Sequence, residues 1–190
     1  KIEAVGRTDA RRITPVVHRD DRGFFHRTWC RDTIRAAGID FDPVQGNASR
    51  THRKGTIRGM HFQRPPRPDP KIVRITRGRV FDVIVDLREG SPEYGRWHGL
   101  ELSEDDGAML FIPAGYAHGF QTLTDEVTAE YLMGEVYVPD LYDGFRYDDP
   151  AIGIAWPLEP TTFSEKDLAW PPLSGRRSAA AGANGEGGLG

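Results

Sequence analysis

Alternation of apolar and polar residues, broken at short intervals by turn signals, runs through most of this chain. The clearest segments are 71–76 and 79–87, which are rich in Val and Ile and are joined by Arg77-Gly78 as in a hairpin. Helical periodicity is confined to 31–37, closed by Gly38, and to a capped turn at 164–167. Further strands are predicted at 12–18, 24–29, 96–102, 108–112, 119–123 and 127–137. The pattern predicts an all-β antiparallel sandwich or barrel with a few short helices.

One predicted strand, 55–63, carries an unusual density of polar functional groups. Period-two alternation turns His61 and Gln63 to one face and Met60 and Phe62 to the other. Such a polar face could line the inside of a small barrel, or it could be a solvated sheet face with one ordinary histidine. The alternation alone does not choose between the two.

Composition narrows the class of protein. A chain of 190 residues fits one domain, which we expect to span 1–173, followed by a flexible tail of Gly, Ala, Ser and Arg at 174–190. The net charge of −3 predicts no attraction to nucleic acid. Without a long apolar run, no membrane span is expected. A single cysteine, Cys30, cannot form an internal disulfide, and this favours the cytoplasm.

Two spaced motifs add chemistry to this β-rich pattern. Gly107, Pro113, Gly115 and His118 resemble the second motif of the cupins, which are double-stranded β-helix jelly rolls. The stretch 55–63 resembles their first motif, with two replacements. Gln63 stands at the position of a second histidine, and Lys71 stands at the position of a glutamate.

These replacements bear on metal binding. An ammonium at the carboxylate position repels a divalent cation, and only His61 and His118 remain as good ligands. We therefore expect no metal. Lysine and arginine near the motif positions suit an anion, such as a phosphate or an enolate.

Ordered segments along residues 10–173 make the resemblance more specific. They are identified as those of the dTDP-4-dehydrorhamnose 3,5-epimerase family, cofactor-free cupins that act on nucleotide-linked 4-keto-6-deoxysugars. The segments that carry the resemblance are 21–25 (DRGFF), 45–49 (QGNAS), 58–63 (RGMHFQ), 71–74 (KIVR), 81–88 (FDVIVDLR), 91–92 (SP), 112–120 (IPAGYAHGF), 149–154 (DPAIGI) and 156–157 (WP).

The resemblance implies catalytic roles that the pattern alone would not assign. His61 matches the family's base, and Asp167 in Ser164-Glu165-Lys166-Asp167 matches its dyad partner. Tyr131 matches the general acid, and Lys71 matches the family lysine that stabilises the enolate. Taken alone, Tyr131 would be interpreted as a core aromatic and Asp167 as a surface acid.

The resemblance also implies substrate contacts and partners. The substrate expected is a dTDP-linked 4-keto-6-deoxysugar, bound without a cofactor. A homodimer is expected in which an N-terminal strand crosses to the second subunit, so that the partner supplies contacts that include Arg22 or Phe25. The predicted contacts are Arg22, Phe25, Gln45, Asn47, Arg58, His118, Tyr137 and Asp143.

Three alternatives to a 3,5-epimerase remain open from the sequence. A single-centre epimerase of an antibiotic-sugar pathway keeps the same histidine and often the same tyrosine. A non-catalytic sugar-nucleotide-binding cupin is opposed by the joint presence of His61, Tyr131 and Asp167. A metal-dependent oxygenase or isomerase is opposed by Gln63 and Lys71.

Overall fold

Antiparallel strands dominate the structure, a computed structural model that describes residues 1–173. The helices are α1 (Arg31–Ala36) and α2 (Glu165–Ala169), and a 3-10 turn covers Pro139–Leu141. In chain order the strands are β1 (Ile2–Ala4), β2 (Arg11–Ile13), β3 (His18–Asp20), β4 (Gly23–Phe25), β5 (Gln45–Thr51), β6 (Ile57–Gln63), β7 (Lys71–Arg77), β8 (Arg79–Asp86), β9 (Trp97–Ser103), β10 (Met109–Ile112), β11 (Tyr116–Thr122), β12 (Val127–Met133) and β13 (Tyr142–Gly144). The all-β prediction is confirmed.

The strands form two main sheets and one separate hairpin. The first sheet has the order β1-β2-β10-β7-β12-β5, and the second has the order β13-β6-β11-β8-β9. Within residues 1–173, strands β3 and β4 pair only with each other. Because neighbours in sequence often lie in different sheets, the chain crosses repeatedly between the two layers and closes them around a shared interior.

The main core fills the space between the two sheets. Val73 and Leu110 of the first sheet and Ile84 and Phe120 of the second belong to one fully buried cluster. Segment 79–87 carries apolar residues at both odd and even positions because both faces of β8 are covered. Ile84 points into this cluster, whereas Val83 packs on the outer face of the same sheet.

Each sheet is also covered on its outer face. Helix α1 places Ile34 beside Ile72 and Phe111 on the first sheet. On the second sheet, Phe145 and Leu173 from the C-terminal part pack beside Val85. This covering brings the residues after β13 back across the strand that carries His61.

Several predicted strands differ from the observed ones. Segment 24–29 ends as a strand at Phe25, and the strand predicted at 119–123 begins at Tyr116. Segment 12–18 is split into β2 and β3, with Pro15 in the gap, where a residue without an N–H cannot continue a ladder. Segment 127–137 ends as a strand at Met133. The predicted tail at 174–190 lies outside the described residues. Within residues 1–173, neither helix has the length and apolar character needed to cross a membrane.

Candidate active site

A cavity of about 660 Å³ opens between the two sheets. Strands from both sheets line it, together with residues 162–164, Lys166 and Asp167 from the C-terminal part. The polar face predicted for 55–63 therefore lies inside the barrel and is not a solvated sheet face. The predicted site residues that line the cavity are Gln45, Asn47, Arg58, His61, Lys71, His118, Tyr131, Tyr137 and Asp167.

His61 and Asp167 form a hydrogen-bonded pair at this cavity. The Nε2 of His61 lies 2.6 Å from Oδ1 of Asp167, and the Asp167 side chain is 5% exposed. Segment 161–162 runs beside the start of β6, where the backbone of Ile57 donates to Thr162. Ser164 then caps the N-terminus of helix α2, and its Oγ accepts the Asp167 N–H at 3.0 Å. These contacts bring Asp167 to the histidine.

Two opposing influences set the pKa of the Asp167 carboxyl. Burial raises the pKa, but hydrogen bonds from His61, the Ser164 hydroxyl and the Gly59 backbone N–H outweigh burial and hold it below the usual value. Asp167 is therefore an ionised acceptor at neutral pH. It places the proton of the neutral imidazole on Nε2 and leaves the lone pair on Nδ1.

A bulge in β6 turns Arg58 to the same cavity as His61. Three positions separate these residues, so simple alternation would place them on opposite faces. In the ladder with β11, His61 pairs with His118 while Arg58 pairs with Phe120, so β6 has one extra residue there. The guanidinium is oriented by Nε donating to Thr51 Oγ1 at 2.8 Å.

Tyr131 lies on the opposite wall, because β12 belongs to the first sheet and β6 to the second. Its hydroxyl is 3.4 Å from the Ser49 hydroxyl, and its ring lies 6.2 Å from the His118 ring. Burial raises the pKa of Tyr131 to about 12. The phenol therefore keeps its proton well above neutral pH.

Two further nitrogen-bearing side chains of the cavity have carboxylate partners. The ammonium of Lys71 lies 2.8 Å from Asp69, and both side chains are largely buried. The Nε2 of His118 lies 3.0 Å from both oxygens of Asp82, which is fully buried. Sequence reasoning named Lys71 and His118 but neither of the carboxylates that hold them.

Comparison with known proteins identifies the family. The sequence model described as dTDP-4-dehydrorhamnose 3,5-epimerase matches residues 7–175. The dTDP-4-dehydrorhamnose 3,5-epimerase of Methanothermobacter thermautotrophicus is 45% identical over 85% of this chain and 88% of its own length. The chain belongs to the dTDP-4-dehydrorhamnose 3,5-epimerase family.

Solved structures give the same result. The dTDP-4-dehydrorhamnose 3,5-epimerase of Bacillus anthracis, with TDP and PPi bound, has a TM-score of 0.88 and 37% identity, and the match covers 91% of this chain and 99% of that one. ChmJ, a 3'-monoepimerase from Streptomyces bikiniensis in complex with dTDP-quinovose, has a TM-score of 0.84 and 33% identity, covering 90% and 87%. The predictions of a cupin jelly roll and of an isomerase are confirmed.

In this epimerase-family chain, Gln63 joins two segments at the mouth of the cavity. Its Nε2 donates to the carbonyls of Arg67 and Val136, and its Oε1 accepts from the N–H of Val138. The amide that replaces a cupin ligand thus has a structural role. Within residues 1–173, no group of three or more His, Cys, Asp or Glu side chains is arranged to hold a metal ion.

Three of the predicted substrate contacts do not line the cavity of this chain, namely Asp143, Arg22 and Phe25. Asp143 points away from it and pairs with Arg64 at 3.3 Å. Its neighbour Tyr142 lines the cavity instead, because side chains alternate along β13, and its ring lies 5.4 Å from the His61 ring. In this structure Tyr142, and not Asp143, therefore lines the cavity. The period-two pattern of this short strand could have indicated the exchange.

Arg22 and Phe25 lie on the β3–β4 hairpin, outside the cavity of their own chain. The Arg22 side chain is 90% exposed and pairs with Asp20, and Phe25 is 70% exposed. Within one chain, these two residues do not contribute to the site.

Proposed function

We propose that this protein epimerises a dTDP-linked 4-keto-6-deoxysugar at C3 and C5, as a step of deoxysugar biosynthesis. The observation that carries the proposal is the His61–Asp167 pair facing a cavity whose opposite wall holds Tyr131. Inversion of a carbon needs a base on one face and an acid on the other. The two sheets supply one of each.

The first step is removal of a proton next to the ketone. The carbonyl at C4 acidifies the C–H bonds at both C3 and C5, so one pocket can serve two centres. With its Nε2 proton donated to Asp167, His61 takes the substrate proton on Nδ1. The carboxylate then stabilises the imidazolium that forms.

The electron pair left by the proton moves onto the C4 oxygen as an enolate. Lys71, whose ammonium enters the cavity from the start of β7, is the donor we assign to that oxygen. One preorganised donor at a developing oxyanion typically lowers the barrier by about 3 kcal/mol.

Tyr131 then donates a proton to the same carbon from the opposite face. Its pKa of about 12 keeps the phenol protonated at neutral pH, and a carbanionic carbon is basic enough to take that proton. Inversion follows because the proton leaves toward β6 and returns from β12.

The remaining cavity residues are proposed to bind the nucleotide and sugar. Arg58 suits the diphosphate because its guanidinium is already oriented by Thr51. The other residues that we assign to substrate binding are Gln45, Asn47, His118, Tyr137 and Tyr142.

A homodimer with exchanged N-terminal hairpins is also proposed. The β3–β4 hairpin makes no ladder with either sheet and exposes Phe24, Phe25 and Arg22. An aromatic pair and a guanidinium suit the base and phosphates of a nucleotide in a second subunit. A cytoplasmic location is proposed on the single cysteine, Cys30.

A single-centre epimerase is the second candidate function. It is supported by the similarity to the 3'-monoepimerase ChmJ at 33% identity. Relatives described as 3,5-epimerases reach 45% identity, and this favours double epimerisation.

One experiment separates the two. The protein is incubated with dTDP-4-keto-6-deoxyglucose in deuterated water, and deuterium is located by NMR. We expect label at both C3 and C5, and none with the His61→Asn variant. Label at one carbon would identify a single-centre epimerase, and no exchange with the unmodified protein would contradict the proposed function.

A further inference from the structure

Asp69 is a cavity residue to which no role has yet been given. It lies in a proline-rich segment, directly between Pro68 and Pro70, and it lines the same cavity as His61 and Lys71. Its side chain is 12% exposed. A carboxylate this well covered costs free energy unless its oxygens are paired.

Both oxygens of Asp69 are paired, and they join two strands of opposite sheets. Oδ1 accepts the backbone N–H of Gln63 at the end of β6, at 3.0 Å. Oδ2 lies 2.8 Å from the ammonium of Lys71 at the start of β7. The prolines on either side fix their own φ angles, and Pro70 favours an extended backbone at Asp69. The Asp69 carboxylate is therefore held between Gln63, on the strand that carries the base, and the ammonium of Lys71.

We propose that Asp69 is a positioning residue for catalysis, which acts by orienting the ammonium of Lys71. The proposal rests on the function proposed above, in which Lys71 stabilises the enolate. A lysine has three donors on a flexible stem, and without a fixed partner the ammonium can occupy many positions. One N–H held by Asp69 leaves the other two to point along defined directions in the cavity.

Other acidic groups of the cavity do not take this role. Glu135 lines the cavity, but its carboxylate pairs with Arg67 at 2.6 Å and with the backbone of Val136. Asp167 accepts from His61. Among residues 1–173, the carboxylate that lies within ion-pair distance of Lys71 is that of Asp69.

A role through Lys71 makes a specific kinetic prediction. Asp69→Asn should lower kcat by about 10-fold to 100-fold, the effect of misplacing a group that acts in the transition state. KM should change by no more than about threefold, because the interaction forms with the enolate and not with the ground state. Asp69→Glu, which keeps the charge, should recover part of kcat.

The decisive measurement is a double-mutant cycle with Lys71→Gln. If Asp69 acts through Lys71, then Asp69→Asn should cause less than about a twofold further loss in the Lys71→Gln background. Equal losses in both backgrounds would overturn the proposal, and so would an Asp69→Asn variant as active as the unmodified protein. Glu101→Gln, on an exposed ion pair of β9, is the matched control and should keep full activity.

Two measurements distinguish failure of this proposal from failure of the proposed epimerase function. If the unmodified protein shows no deuterium exchange, the epimerase function fails, whatever the variants do. Affinity for dTDP, measured by calorimetry, reports whether each variant keeps the folded cavity. If Asp69→Asn fails this check, the cycle is run with Asp69→Glu, whose loss must also vanish in the Lys71→Gln background.

Discussion

His61 and Asp167 are separated by 106 positions in the sequence, and their side chains meet at 2.6 Å. The contact depends on a parallel bridge between Thr56 and Thr162, which returns the chain to the start of β6. Because the bridge and the Ser164 cap both precede Asp167, the carboxylate reaches the imidazole from a helix of only five residues. The dyad therefore depends on how the C-terminal segment docks onto the barrel.

Replacement of Asp167 by asparagine should reduce stability in a pH-dependent manner. The folded-state pKa of Asp167 is lowered, so its contribution is fully present above the unfolded value near 3.8 and is lost as the pH falls through the folded value. At pH 7 we expect the variant to lose about 1–3 kcal/mol of unfolding free energy. Below about pH 4 the difference should narrow, as measured by urea denaturation.

The exposed residue Asp40 provides the control for this measurement. Asp40→Asn should change the unfolding free energy by less than about 0.5 kcal/mol at either pH. A difference between Asp167→Asn and the unmodified protein that stays constant from pH 7 to pH 3 would argue against an ionised pair.

Removal of the Tyr131 hydroxyl should separate proton abstraction from inversion. In Tyr131→Phe, His61 can still remove a proton and return a deuteron from the same face. We therefore expect deuterium in recovered substrate of unchanged configuration, while product formation falls by about 100-fold or more. NMR of substrate and product in deuterated water measures both, with Tyr94→Phe in the β8–β9 connection as control. Equal loss of exchange and inversion would refute the role of Tyr131.

Close packing between β6 and β11 predicts that substitution of Gly119 destabilises the protein. A Cβ at Gly119 would lie 2.7 Å from the Met60 sulfur and 2.8 Å from the Arg58 carbonyl oxygen. Gly119→Ala should therefore push β6 away and cost about 1–3 kcal/mol of unfolding free energy, together with activity. Gly46 on the edge strand β5 has no heavy atom within 4 Å of such a Cβ, so Gly46→Ala should leave the thermal midpoint almost unchanged. Similar behaviour of the two variants would show that the packing is looser than described.

Exchange of hairpins between subunits predicts complementation. Arg22→Ala removes the guanidinium donor proposed for the hairpin, and His61→Asn removes the imidazole that acts as the base. Co-refolding of the two inactive variants should restore about a quarter of the sites, since half of the dimers are mixed and one site in each is intact. Activity no higher than that of the separate variants would show that each chain uses its own hairpin.

Most of the fold could be predicted from alternation and turn residues, because β7 and β8 carry strong local patterns. The inward face of the three-residue strands could not be predicted, because three residues give too little periodicity to show which side chains point inward. Tyr142 and Asp143 illustrate this, because a shift of one residue along β13 exchanges the face that lines the cavity for the opposite face. The β6 bulge was equally invisible, since an extra residue is defined only by the partner strand.

The three hydrogen bonds of Gln63 limit which side chains can stand at position 63. A histidine at position 63 would offer a metal ligand, but it could not at once donate to Arg67 and Val136 and accept from Val138. The two segments at the cavity mouth would lose their common anchor before any cation could be held. Gln63→His would therefore loosen this part of the cavity wall, so the amide at position 63 is required by the packing of the barrel as well as by the chemistry of the site.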